Sequence, residues 1–292
     1  MFRTSNPALR NDAFRPAQTW DDVDSSGRGV RGVDFGSRSA AASTVAVPGA
    51  MTVQGTVNKS FFLLALVVVS ALVTWRLFDQ QSPWATGLFF GGAIGGFISC
   101  LVACFVPRSA PITAPLYSLA QGLVVGGISY FYAARFGGQN LHVKGSDVTL
   151  NAGLILNAVL LTFGITGATL SAYAFKIIRP GRMFYNVTLV AMLGLLGYGL
   201  IAWIAAAFFH APTMASVYNP SNGGTISLLF SGFVLVLGAA NLVLDFDTIS
   251  QGVRNRAPKS MEWYGAFALM VTLIWIYFES LRMLAKLQSR RN

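Results

Sequence analysis

Charge is scarce in this chain: of 292 residues only 11% are Asp, Glu, Lys or Arg, where a water-soluble domain carries about 25%. With 54% hydrophobic residues and a mean hydropathy of +0.56, a soluble globular fold is excluded and the lipid bilayer is the expected solvent. Acid is scarcer still, 11 Asp and Glu against 21 Lys and Arg. In a soluble protein that excess would suggest nucleic acid, but here the cations sit between apolar runs and in the tails, which is a topology signal and excludes a nucleic-acid partner. The two cysteines, Cys100 and Cys104, lie at i,i+4 inside one apolar run with no histidine near. They make neither a disulfide framework nor a zinc site, and read as helix packing. The two histidines, His142 and His210, are isolated in connecting segments and read as exposed. No Ser-His-Asp arrangement, phosphate-binding glycine loop or mid-helix Schiff-base lysine is present, since Lys286 falls at a helix end. No enzyme and no resident cofactor is therefore expected.

Long apolar runs are missing from the first 58 residues, which are rich in Ser, Arg, Asp and Gly. Such a segment buries too little surface to offset chain entropy, so residues 1–58 are expected to form a disordered polar tail. A cleaved signal peptide is not expected, because its apolar region would fall where this chain is polar. Residues 59–292 form the expected all-α membrane domain. Runs of about 20 apolar residues, the length a helix needs to cross about 30 Å of hydrocarbon, recur over 61–78, 85–106, 113–134, 150–175, 184–209, 225–247 and 263–287. The breaks between them carry Pro, Gly or charge. Glycines at four-residue spacing, such as Gly92 with Gly96 and Gly122 with Gly126, read as close helix approach in lipid.

Orientation follows from retained positive charge. The second, fourth and sixth connections hold Arg108, then Lys176, Arg179 and Arg182, then Arg254, Arg256 and Lys259; the others hold only Arg76, Arg135 and Lys144. With the arginines of the tail on the richer side, the N-terminus is expected in the cytoplasm and, after seven crossings, the C-terminus outside. Arg282, Lys286, Arg290 and Arg291 on the last segment oppose this, and a re-entrant run would return the C-terminus to the cytoplasm.

Carboxylates inside apolar runs are costly and mark ion or proton paths. Here they are Asp245, Asp247 and Glu279, with Asn241 one turn before Asp245 and on its face. Glu279 lies among apolar neighbours; its alternative reading is an ion pair with Arg282 at i+3, both snorkelling to the interface. For Asp245 and Asp247 the alternative is a solvated helix end. Three such acids offer hard oxygen ligands for Ca²⁺ and sites for protons, so that acid would expel the cation or open a gate.

These residues resemble a known group. The stretch Asn241 to Gly252 is similar to the F-D-T segment of the Bax inhibitor-like membrane proteins at Phe246, Asp247 and Thr248, and Trp275 to Arg282 resembles that family's L-Y-L-D segment, with Glu279 in the acidic place. Thr162 to Tyr173 and Pro115 to Leu123 resemble its fourth and third helices. The N-terminal Ser5 to Leu9 and Met51 to Lys59 look like a bacterial branch with a longer tail. The resemblance implies seven helices, six around a central C-terminal one. It also implies a pH-sensitive Ca²⁺ leak in the bacterial inner membrane, in which Asp247 and Glu279 share a proton and stand as the Ca²⁺ ligands, with Arg108 the nearest candidate for a latch arginine. The chain departs from the pattern in having Glu rather than Asp at 279 and an added acid at Asp245. The turn between the last two runs leaves Glu279 about 15–20 Å deeper than Asp247 at about 1.5 Å per residue, so either the helices tilt and break or the acids are separate stations. Two functions remain in view: a proton-gated leak or transporter for Ca²⁺, and a non-transporting regulator whose tail is read by a membrane protease or other partner protein.

Overall fold

The computed structural model describes residues 49–136, 152–209 and 216–291. The tail over residues 1–48, both histidines and Asp147 lie outside the described residues. Among the described residues seven α-helices follow one another: α1 (Val53–Asp79), α2 (Trp84–Phe105), α3 (Ala110–Phe136), α4 (Ala152–Ala174), α5 (Arg182–Phe209), α6 (Thr225–Arg254) and α7 (Met261–Arg291), with 3₁₀ turns at Pro107–Ser109 and Ser216–Tyr218. All seven are long and apolar enough to cross a membrane, one for each apolar run of the sequence.

The helices overrun the apolar runs at their ends, because hydropathy detects only the part that meets hydrocarbon. α6 continues past Asp247 to Arg254, and α1 begins at Val53, inside the segment assigned to the polar tail. Two residues explain that early start. The Thr52 side chain caps the helix by accepting from the Gly55 N–H at 2.9 Å, and Met51 is buried. The membrane domain thus starts at the latest at residue 49; of the polar letters from Thr52 to Lys59, Thr52, Thr56 and Lys59 meet α7, while Gln54 and Asn58 are exposed and bond each other.

The strap that leads into α1 pairs with the α6–α7 turn. Met51 N donates to Ala257 O at 2.7 Å and Lys259 N to Gly49 O at 3.0 Å, around an antiparallel bridge between Ala50 and Pro258. Gly49 has φ +95°, a conformation open to glycine at little cost.

α7 is the central helix, packed by α1, α3, α4 and α6, while α2 is seated on α3 and α5 on α6 as outer members. Its sequence explains the position. It carries Glu262, Thr272, Glu279, Ser280 and Lys286, all buried, and in a bilayer such groups belong in the bundle interior. In the most apolar 18-residue stretch of each helix, 50% of the residues of α7 and 56% of those of α3 are buried, against only 6% for α5.

Packing, not a hydrophobic drive, holds helices together in lipid, and α3 shows how. Gly122 lies against the Ser70 hydroxyl and the backbone of Val67, and Gly126 against the backbone of Ala71, so α1 and α3 approach to backbone contact at these glycines. Gly92 and Gly96 seat α2 on α3 in the same way, whereas Gly87, Gly91, Gly194, Gly197 and Gly199 face open space. The close-approach reading therefore holds for the glycines of α3 and its contacts and not for those of α5. At one end of these helices Phe78 stacks on Tyr130 at 5.6 Å and meets Phe89 and Phe131.

Candidate functional site

A two-helix hydrogen-bond chain lies between α6 and α7. Asn241 and Asp245, one turn apart on α6, share a face, and Thr272 of α7 stands opposite. The Asn241 amide donates to Thr272 Oγ1 at 2.9 Å, and the Thr272 hydroxyl donates to Asp245 Oδ2 at 2.6 Å. Thr272 is 2% exposed, so its hydroxyl has no water to fall back on. The chain has a polarity: the amide can only donate and the carboxylate can only accept, so the hydroxyl proton is committed to Asp245. No lysine or arginine forms an ion pair with Asp245 among the described residues.

Asp247 is two residues on and therefore points to another side of α6, toward α4. Its Oδ1 accepts from the Tyr173 hydroxyl at 3.1 Å and its Oδ2 from the Gln251 amide at 2.5 Å, and Arg254 stands 3.9 Å from Oδ1. With 20% of its side chain exposed, Asp247 is a partly solvated group near the α6–α7 turn.

Glu279 belongs to a different layer. It lies seven residues beyond Thr272 on α7, about 10 Å further from the turn at about 1.5 Å per residue. Its Oε2 accepts from Arg282 Nη1 at 2.6 Å, and its Oε1 is buried without a hydrogen-bond partner. Arg282 lies over the Tyr218 ring, 5.2 Å from its centroid, and Tyr132 of α3 faces the pair. One turn on, the fully buried Lys286 donates to Val217 O at 2.6 Å, Ser227 O at 3.1 Å and Ser231 Oγ at 2.8 Å. Each of its three N–H bonds has an acceptor, none of them a carboxylate.

The structure thus corrects several expectations. Among the described residues Asp247 and Glu279 share no hydrogen-bond partner and sit at different levels of the bundle, so they form no shared-proton pair. Nor do they form one Ca²⁺ site, which would need ligands about 2.3–2.6 Å from a single ion. Among the described residues no group of three or more His, Cys, Asp and Glu could hold a metal ion. Arg108 is exposed on the Pro107–Ser109 turn and among the described residues pairs with no acid, the arginines that meet acids there being Arg254 and Arg282. Glu279 does pair with Arg282 at i,i+3, but at 2% exposure it is held inside the bundle rather than snorkelling.

Sequence reading missed Thr272, whose signal is a lone hydroxyl in mid-run between Val271 and Leu273. It also missed Glu262, just ahead of the last apolar run. Glu262 is 1% exposed; its Oε1 accepts from Thr52 N and Thr52 Oγ1, each at 2.9 Å, and its Oε2 is ion-paired with Lys59.

Neither a curated protein nor a solved structure matches the chain. A family model described as Bax inhibitor 1 like matches residues 6–289, nearly the whole length. With seven helices long and apolar enough to span a membrane and that match, the chain is a multi-pass membrane protein that belongs to the Bax inhibitor 1-like family; four of the other helices pack on α7, not the six the resemblance implies.

Proposed function

We propose that this protein is a proton-gated leak for Ca²⁺ in the bacterial inner membrane, with its N-terminus in the cytoplasm, and that Asp245 is the group whose protonation works the gate. The observation that carries this reading is the Asn241–Thr272–Asp245 chain, which ties α6 to the central helix. An ionised Asp245 receives a charge-assisted hydrogen bond, roughly twice as strong as a neutral one. A proton on Asp245 removes the charge and leaves Thr272 with weaker ties, so acid lets α6 part from α7. Asp247 and the Glu279–Arg282 pair act as separate stations at different levels of the bundle.

The test is Ca²⁺ entry into dye-loaded vesicles containing the purified protein. Asp245→Asn imitates the protonated state, so flux should be high and insensitive to pH. If that variant keeps the pH dependence of the unaltered protein, the reading fails.

A second reading, a non-transporting regulator read through its tail, draws support from the anchoring of residues 49–52 on the α6–α7 turn. Removing residues 1–45 separates the two readings: a regulator loses its protease or partner protein, whereas a leak still conducts. A truncation reaching residue 50 would not serve, because it removes part of the strap.

A further inference from the structure

The separation of α6 and α7 at their turn is not set by those two helices alone. Met51, from the strap before α1, is 5% exposed and belongs to one buried cluster with Leu242, Ile249, Leu269 and Ile276. Leu242 and Ile249 flank Asp245 within about one turn on α6, and Leu269 and Ile276 flank Thr272 in the same way on α7. The Asp245–Thr272 bond is therefore flanked by members of the cluster that Met51 joins at the turn, two turns or about 10 Å further along each helix. The methionine fits because both helices offer glycine there: a Cβ on Gly252 would come 2.8 Å from the Met51 sulfur, and one on Gly265 would come 3.4 Å from its terminal carbon.

The strap is also fastened by charge. Glu262, in the first turn of α7, accepts both Thr52 donors on one oxygen and Lys59 on the other. Its carboxylate fills the space that Gly55 leaves by having no side chain. A buried carboxylate supplied with three donors is an anchor, because removing any one of them exposes a desolvated charge. Lys59 in turn lies over the Trp263 ring, 5.3 Å from its centroid.

We propose that the Gly49–Thr52 strap, fastened by Glu262, is the positioning device for the Asp245–Thr272 bond: Met51 wedges α6 and α7 at the spacing at which that bond closes. Met51, Thr52 and Glu262 are positioning residues, since they touch neither the proton nor the bond. The titratable and charged groups nearest Asp245 are Tyr264 of α7 and, on its own helix, Asp247, which holds Tyr173 of α4 and stands by Arg254; those at the anchor are Lys59 and Glu262. The inference rests on the reading of Asp245 as the gate's proton site, and its test is chosen to fail separately.

Asp245 protonation is followed directly in the full-length protein in vesicles, by the infrared carboxyl band that disappears in Asp245→Asn. Met51→Ala should move the midpoint of that titration at least threefold in proton concentration, and Met51→Leu, which refills the space, should return it to the starting value. Ca²⁺ flux is recorded on the same samples. An infrared midpoint unmoved by Met51→Ala, in protein that melts as the unaltered one does, overturns the inference. A midpoint that moves while flux ignores pH supports the strap's role and overturns the leak. Should Met51→Ala fail to fold, Thr52→Val, which removes one donor from Glu262 and keeps the wedge's backbone bonds, is held to the same midpoint criterion.

Discussion

Thr272→Val is the sharpest perturbation of the proposed gate, because valine keeps the shape of threonine and removes only the hydroxyl. Two hydrogen bonds go with it, the 2.6 Å bond to Asp245 and the 2.9 Å bond from Asn241. A bond to a charged group contributes about 1.5–3 kcal/mol and a neutral one about 0.5–1.5 kcal/mol. The ionised state of Asp245 loses the stronger kind and the protonated state the weaker kind, so the difference between states is about 1–1.5 kcal/mol. At about 1.4 kcal/mol per factor of ten, the proton concentration at half-maximal Ca²⁺ flux should fall roughly tenfold. The sign follows from which state the bond favours: it holds the ionised, closed state, so its loss lets the leak open nearer neutral pH. The assay is dye-reported Ca²⁺ entry into vesicles over a series of external pH values, with Thr272→Ser as the control that retains the hydroxyl and the original midpoint. A Thr272→Val curve that overlies the unaltered one, in protein of unchanged melting temperature, would refute the reasoning.

Other outcomes follow from the packing and the charges. Gly126→Leu forces a side chain against the Ala71 backbone and should cost about 1–3 kcal/mol or more, read as a lower melting temperature in detergent, whereas Gly194→Ala, facing open space, should leave melting unchanged or slightly raised. Glu279→Gln strips the charge partner from Arg282, a loss of about 3–5 kcal/mol for a buried pair; the double change with Arg282→Met should recover most of it in a double-mutant cycle, and a merely additive result would show that the pair is not coupled. Lys286→Met removes the donors to Val217, Ser227 and Ser231, and should speed amide hydrogen exchange over Ser216–Tyr218 without altering exchange at Met51–Lys59.

The seven helices were legible because each crossing must be apolar for about 20 residues, a signal that needs no partner. Their ends were less so: Val53 to Lys59 is polar in letters and helical in fact, since Thr52, Lys59 and Glu262 satisfy one another across more than two hundred residues of chain. The site divides along the same line. Asn241 with Asp245 and Glu279 with Arg282 could be read off because both are neighbours on one helix. Thr272 opposite Asp245 could not, since the level at which two antiparallel helices meet depends on the turn between them, and here a third segment, the strap, sits in that turn. For the same reason a match of sequence motifs gave Glu279 the role of partner to Asp247, whereas the packing sets Tyr173, Gln251 and Arg254 on Asp247 and Thr272 on Asp245.

The loose seating of α5 has a consequence of its own. Its 28 residues span about 42 Å at about 1.5 Å per residue, well beyond about 30 Å of hydrocarbon, and its extensive contact among the described residues is with α6 alone. A helix longer than the bilayer leans, by an angle that follows the thickness of the acyl layer. Tyr198 of α5 meets Tyr218 at 5.5 Å and Phe230 of α6 at 5.6 Å, and Tyr218 is the ring beneath Arg282. Lipids with shorter or longer acyl tails would thereby reach the Glu279 layer through one aromatic stack, which makes the host membrane's composition a variable of the protein's behaviour.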